Sequence, residues 1–273
     1  MTITVLDGPL GTVLIERGHP APAPAWSATH LREAPDSVLQ LHKDYASAGA
    51  SHHTTNTFRT RPADVGNDWR HLAEKAVQLT RSAIPTHHRV MGSIAPLADC
   101  YRPDLSPPNP GSRHRELADV LSGCGVDILL CETFPHIAEG LAAAEAALQT
   151  GKETWLSFTA GPQNDLLSPK AMGQGAAAAA AMGVSAILVN CIPATSAHPY
   201  IDAISGHGIP FGVYANAGSK ANGVGWGNGQ DGANRYAELA FKWAEQGATL
   251  IGSCCGTSPL HIQALSKTFA DKS

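Results

Sequence analysis

The chain has 273 residues, 43% of them hydrophobic and 15% charged, enough to bury a sizeable core as one large barrel or two small domains. A formal net charge of −4 gives no basic footprint for nucleic acid or an anionic membrane, so the expected partner is a small molecule. Six cysteines in a chain of this size form no small-domain disulfide framework and point to a reducing compartment.

Met1 to Leu14 lacks a basic segment followed by a long apolar one, so no signal or transit peptide is read there, and a cytoplasmic location is expected. Ile3 to Leu6 reads as a first strand ending at Asp7. Asp36 to Ala48 carries Val38, Leu39, Leu41, Tyr45 and Ala46 at helical spacing. Ala50 to Thr55 is a poor strand by hydrophobicity because it holds His52 and His53. Arg70 to Ile84 is the next helix and Arg89 to Ala95 the next strand, followed by a Pro-rich loop from Tyr101 to Ser112.

His114 to Ser122 reads as helix, Val126 to Cys131 as strand, Ile137 to Gln149 as helix and Thr154 to Phe158 as strand. Ala171 to Ile201 carries no charge, but alanine drives membrane insertion far less than leucine does; an alanine-rich helix over Ala171 to Met182 and a buried strand over Ala186 to Val189 account for it. Helix over Ile201 to Ser205, strand over Phe211 to Tyr214, a long glycine-rich loop over Asn216 to Gly232, helix over Arg235 to Gln246 and strand over Thr249 to Ile251 complete the alternation. Eight such units, with no linker to split them, predict one (β/α)8 barrel domain over residues 1–273. No Gly-x-Gly-x-x-Gly follows the first strand, which speaks against a dinucleotide fold.

Chemistry concentrates at the strand ends. Cys254 and Cys255 sit between the last strand and a Ser-Pro helix start, and adjacent cysteines rarely bond to each other without strain. They read as paired thiolate ligands, with Cys191, after the strand that ends in Val189-Asn190, as the best third. Three protein sulfurs make a catalytic rather than a closed zinc site. Asp7 in a Gly-rich turn and Glu132 at another strand end suit the ammonium of an amino-acid substrate, and the Gly8 N–H its carboxylate. Asn190 reads as a substrate contact or a support for Cys191. Cys100, Cys124 and Cys131 lack partners at ligand spacing. No His-Glu-x-x-His occurs among the thirteen histidines, and the pairs His52-His53 and His87-His88 face opposite ways on a strand; they read as structural or surface residues. His261 reads as a packing or capping residue of the last helix.

These motifs resemble the homocysteine S-methyltransferase family. The resemblance rests on Asp7-Gly-Pro-Leu-Gly-Thr12, Thr54-Thr-Asn-Thr-Phe58, Cys131-Glu-Thr-Phe134, Asn190-Cys191 and Gly252-Ser-Cys-Cys255, in the family's order over nearly the whole chain. Ser253 stands where the family has glycine, and Arg59 where many members have glutamine. The resemblance implies Zn2+ held by Cys191, Cys254 and Cys255, homocysteine contacted by Asp7 and Glu132, and substrate contacts from Asn56 and Thr57. It implies methyl transfer to the homocysteine thiol, giving methionine. S-methylmethionine, S-adenosylmethionine or a betaine is the expected donor, because no folate or cobalamin module is present. Trp226, in the glycine-rich loop, would suit a cationic methyl donor. Another thiol or selenol acceptor, a barrel with purely structural zinc, and a homo-oligomeric state stay open at this point.

Overall fold

A computed structural model describes residues 2–218, 225 and 229–270. Eight parallel strands lie in the order β1-β8-β7-β6-β5-β4-β3-β2, and a bridge from Leu6 to His52 joins the two ends of the sheet. The result is the (β/α)8 barrel that the alternation predicts. Its strands are β1 (Thr4–Val5), β2 (His52–Thr54), β3 (Arg89–Ile94), β4 (Ile128–Phe134), β5 (Glu153–Phe158), β6 (Ala186–Pro193), β7 (Phe211–Asn216) and β8 (Leu250–Ser253).

The longer helices lie outside the sheet: α3 (Pro35–Ala48), α5 (Trp69–Ala83), α6 (Gly111–Gly123), α7 (Ile137–Leu148), α8 (Pro169–Met182), α10 (Gly229–Glu245) and α11 (Pro259–Ala270), with the shorter α9 (His198–Ile204). Their ends follow local chemistry. Pro35 opens α3, and Gly49, at φ 106°, closes it in a left-handed conformation that favours glycine. Ser168 caps α8 by accepting from the Ala171 N–H at 3.2 Å, and Pro169 occupies the first turn, where its missing N–H is harmless. The uncharged stretch from Ala171 is thus a helix against the sheet. Among the described residues no helix is long and apolar enough to cross a membrane.

The core has two layers. Outward-facing strand residues such as Val5, Val90, Leu129 and Ile187 pack with the helices, while Leu6, Met91, Ile128, Leu130, Trp155, Leu188 and Leu250 fill the barrel interior. Period-two alternation on each strand makes this partition. It also explains the histidine pair: His52 stacks on Trp155 at 5.7 Å inside the barrel, and His53, on the opposite face, stacks on His88 at 5.3 Å.

Six short elements have no counterpart in the sequence reading: α1 (Gly11–Glu16), α2 (His30–Glu33), α4 (Pro62–Val65), and 3-10 turns over Trp26–Thr29, Pro103–Leu105 and Ala194–Ser196. Each is too short to display a helical period. The glycine-rich loop is shorter than expected at both ends, since β7 runs to Asn216 and α10 starts at Gly229; Trp226 lies outside the described residues. β4 and β6 run three and four residues past their expected ends, and both extensions are irregular. The register shifts between Cys131 and Phe134 in one and between Asn190 and Pro193 in the other.

Candidate active site

Those two irregularities shape the site. A bulge at a strand end turns side chains off the alternating pattern. Thr133 and Cys191 take φ values of 63° and 53° within them, left-handed backbone that non-glycine residues seldom adopt and that costs about 1–3 kcal/mol each. Asn190 locks the bulges together. Its Oδ1 accepts from the Thr133 N–H at 3.1 Å and the Ser157 hydroxyl at 2.8 Å, and its Nδ2 donates to Thr133 Oγ1 at 2.7 Å. The strain at Cys191 is therefore held by a triply hydrogen-bonded amide on the preceding residue.

Bent in this way, Cys191 reaches the end of β8. Its Sγ lies 3.0 Å from Cys254 Sγ, and Cys254 Sγ lies 3.9 Å from Cys255 Sγ. The Cys254 N–H still belongs to the ladder, donating to Ala215 O at 2.8 Å, and the chain then turns so that the Thr257 N–H returns to Cys254 O at 3.2 Å. That turn is what brings both neighbours to one side. All three sulfurs fall within 4.8 Å of one another, a group able to hold a metal ion. Contacts with Cys191 and Cys254 push the Cys255 thiol well below its ordinary range, while contacts with Cys254 and Cys255, and burial, push Cys191 up. Three thiolates cannot form side by side without a cation among them, so the donor set fits a metal.

The cysteines open on a cavity of about 990 Å³ at the carboxyl ends of the strands, the face where barrels of this kind carry their chemistry. Asp7, Gly8, Asn56 and Glu132 line it as well. Burial raises the Asp7 carboxyl well above its usual range, against the N–H and hydroxyl that Thr54 donates at 2.8 and 3.0 Å. Burial likewise raises Glu132 to about 7, although Ser93 and Tyr214 hydroxyls donate to it at 2.5 and 3.2 Å. Two buried carboxylates facing an empty volume favour a cationic group there. Gly8 is held to glycine by its surroundings: a Cβ would lie 2.8 Å from the Tyr45 ring and 2.9 Å from Ser253 Oγ.

Two expected contacts lie behind this wall. Thr57 and Asn190 are fully buried; the Thr57 hydroxyl donates to Ser93 O at 2.7 Å, and the Asn190 amide is spent on the bulges. They support the site without facing the cavity. Asn56 is at the wall with its amide already tied to Ser27, accepting at 2.7 Å and donating at 2.9 Å. Conversely, Thr54, Tyr214, Cys100, Tyr101 and Trp26 line the cavity without having been singled out for it. Cys100 is a wall residue whose thiol burial raises to about 12.

Asp7, His42 and His53 also offer ligand atoms within 4.8 Å of one another. Burial holds both imidazoles neutral, pushing His42 down to about 4 and His53 to about 3. The Thr80 hydroxyl donates to Ala76 O at 2.9 Å, so at 3.1 Å it accepts from His42 Nε2, which carries the ring proton. These histidines back the wall that bears Asp7.

Comparison with known proteins agrees with this geometry. The family model for homocysteine S-methyltransferase matches residues 4–269. The homocysteine S-methyltransferase of Escherichia coli (strain K12) is 31% identical, over 96% of this chain and 94% of its own. The S-methylmethionine-homocysteine S-methyltransferase of Pongo abelii is 24% identical, over 98% of this chain and 78% of its own. The metallated crystal form of the homocysteine methyltransferase MmuM from Escherichia coli superposes with a TM-score of 0.82 at 29% identity, covering 98% of this chain and 96% of that one. With the barrel, the cysteine trio and a family match over almost its full length, this chain belongs to the homocysteine S-methyltransferase family.

Proposed function

We propose that the protein transfers a methyl group from an onium donor to the thiol of homocysteine, giving methionine, with Cys191, Cys254 and Cys255 holding zinc. The observation that carries this reading is the meeting of three sulfurs with two buried carboxylates across one cavity. Soft thiolate donors select zinc over the harder divalent cations. A zinc ion held there supplies the Lewis acidity that lets a thiol lose its proton near neutral pH.

The chain's own residues then place the two substrates. Asp7 and Glu132 accept hydrogen bonds from the acceptor's ammonium, and the Gly8 N–H meets its carboxylate. Ser93, Tyr214 and Thr54 keep the two carboxylates aimed inward. With the amino-acid end fixed, the acceptor sulfur faces the donor's methyl carbon. A carbon–sulfur bond forms there as the bond from that carbon to the onium centre breaks, and the donor leaves as a neutral sulfide or amine. S-methylmethionine is the favoured donor, since it appears in the name of the Pongo abelii relative.

The test combines turnover, metal content and proton release on the purified protein. Homocysteine and S-methylmethionine should give methionine, with about one zinc per chain. Homocysteine binding should release close to one proton. Zinc-free protein of full activity would overturn the metal assignment, and turnover of another thiol or a selenol in preference to homocysteine would move the acceptor.

A further inference from the structure

The acceptor's ammonium accounts for Asp7 and Glu132, but it leaves one charge on the cavity wall without a role. Arg59 lines the cavity, half-buried, and is the one arginine or lysine among the described residues that does so. One of its amino groups donates to Ala98 O at 3.0 Å, and the guanidinium carbon sits 5.3 Å from the centre of the Phe58 ring, another wall residue. No carboxylate of the described residues lies within 4.0 Å of it, whereas the neighbouring Arg61 is paired with Asp64 at 2.5 Å. The guanidinium is thus fixed by a carbonyl and a ring face while keeping donors free. Its charge also reaches inward, drawing down the Cys100 thiol that burial raises.

Next along the same wall stands Asp99. Its Oδ1 accepts from the Tyr101 N–H at 2.9 Å, and among the described residues no cation lies within 4.0 Å of it. A fixed guanidinium and a free carboxylate on one stretch of wall, joined through the Ala98-Asp99 peptide yet too far apart to pair, match the two charges of an α-amino-acid head group. A planar guanidinium fork recognises carboxylate with a geometry that lysine cannot reproduce.

We propose that Arg59, assisted by Asp99, forms the subsite for the methyl donor's head group, Arg59 taking its carboxylate and Asp99 its ammonium. The donor is then an α-amino-acid sulfonium rather than a betaine, whose quaternary nitrogen carries no N–H for Asp99. This rests on the methyl-transfer reading above and divides the cavity between two zwitterions, the acceptor at Asp7 and Glu132 and the donor at Arg59 and Asp99.

Binding of S-methylmethionine by calorimetry in the absence of homocysteine tests the subsite without turnover, against its methyl ester and its des-amino analogue. The wild-type protein should bind the parent compound about ten- to a hundredfold more tightly than the ester, with a smaller loss for the des-amino compound. Arg59→Gln, which keeps a polar side chain but removes the charge, should erase the preference for acid over ester, and Asp99→Asn the preference for the amino group. Zinc content and homocysteine affinity should stay at wild-type values in both. Arg59→Lys should restore only part of the acid preference. Equal binding of acid and ester by the wild-type protein, or an undiminished preference in Arg59→Gln, overturns the assignment, as does failure of every carboxylate-bearing sulfonium to bind. Sulfoniums that bind in this pattern but are never consumed would refute methyl transfer and leave the head-group site standing.

Discussion

The two ends of the barrel interior use polar residues for opposite purposes. At the amino-terminal end, Arg89 pairs with Glu153 at 2.6 Å, Trp155 Nε1 donates to the same carboxylate at 2.8 Å, and His52 stacks on the Trp155 ring. Those charges neutralise one another, and Glu153 stays below its usual range, since the Arg89 and Trp155 hydrogen bonds outweigh its burial. At the carboxyl end, Glu132 and Asp7 are buried with hydroxyl and amide donors alone, and both are pushed up. One end is closed on itself; the other is left short of positive charge. The difference teaches that a carboxylate at the barrel's end does not by itself mark a binding site, whereas one buried without a cationic partner, beside a cavity, does.

The largest effect should come from the open end. Cys254→Ala or Cys255→Ala is expected to abolish methyl transfer and metal retention while leaving the far-ultraviolet circular dichroism unchanged; near-normal activity in either variant would remove that residue from the ligand set. The closed end should behave in the converse way. Trp155→Ala, which empties the barrel floor, should lower unfolding stability by about 3–5 kcal/mol. Its metal stoichiometry and homocysteine affinity should persist below the new melting point, and a loss of metal there would show that the two ends are coupled.

A smaller effect sharpens the same contrast. Glu132→Gln should weaken homocysteine binding by about 1.5–3 kcal/mol, the value of one charge-assisted hydrogen bond, with stability unchanged or improved because a buried charge is removed. Calorimetric titration that finds wild-type affinity would assign Glu132 a structural role. A last effect appears only on acidification: the pH response of His42, buried behind the sheet and held down to about 4. Its folded pKa lies below the unfolded value near 6.5, so the folded state binds fewer protons in between. Its contribution is whole above that unfolded value and is lost as the pH falls toward 4, by about 1.4 kcal/mol per pH unit at most. Denaturant melts across that window should show a shallower slope in His42→Gln than in the wild type.

What was legible in the sequence follows from where information is local. Apolar runs ending in Asp7, Glu132, Cys191 or Cys254 announce both a strand and the side chain at its open end, so the barrel and the cavity-lining residues are readable together. Thr57 and Asn190 show the limit. Their types suit a substrate, but their hydrogen bonds are taken by Ser93, Ser157 and Thr133 on other strands, pairings that no spacing along the chain encodes. Ser93 and Tyr214 did carry a signal: each is a polar position on the inward face of its strand, one or two residues before the end, which alternation alone places beside Glu132. Residues Gly11 to Glu33 carried none, because short turns rich in proline and alanine show no period. Cys100 has no partner at ligand spacing, and spacing along the chain carries no information about which residues line a cavity wall.

The junction of β1 with β2 is the barrel's thinnest join. β1 has two residues, and it meets β2 at the single bridge from Leu6 to His52, with backbone bonds from the Asp7 N–H to His52 O at 3.0 Å and the Ser51 N–H to Val5 O at 2.9 Å, and the Asp7 carboxylate on Thr54. Every other neighbouring pair of strands shares a longer ladder. In a closed ring such a join acts as a clasp, and its pin is a carboxylate that faces the cavity. An occupant bonded to Asp7 would share that carboxylate with Thr54, so the pocket and the thinnest seam of the ring have one side chain in common.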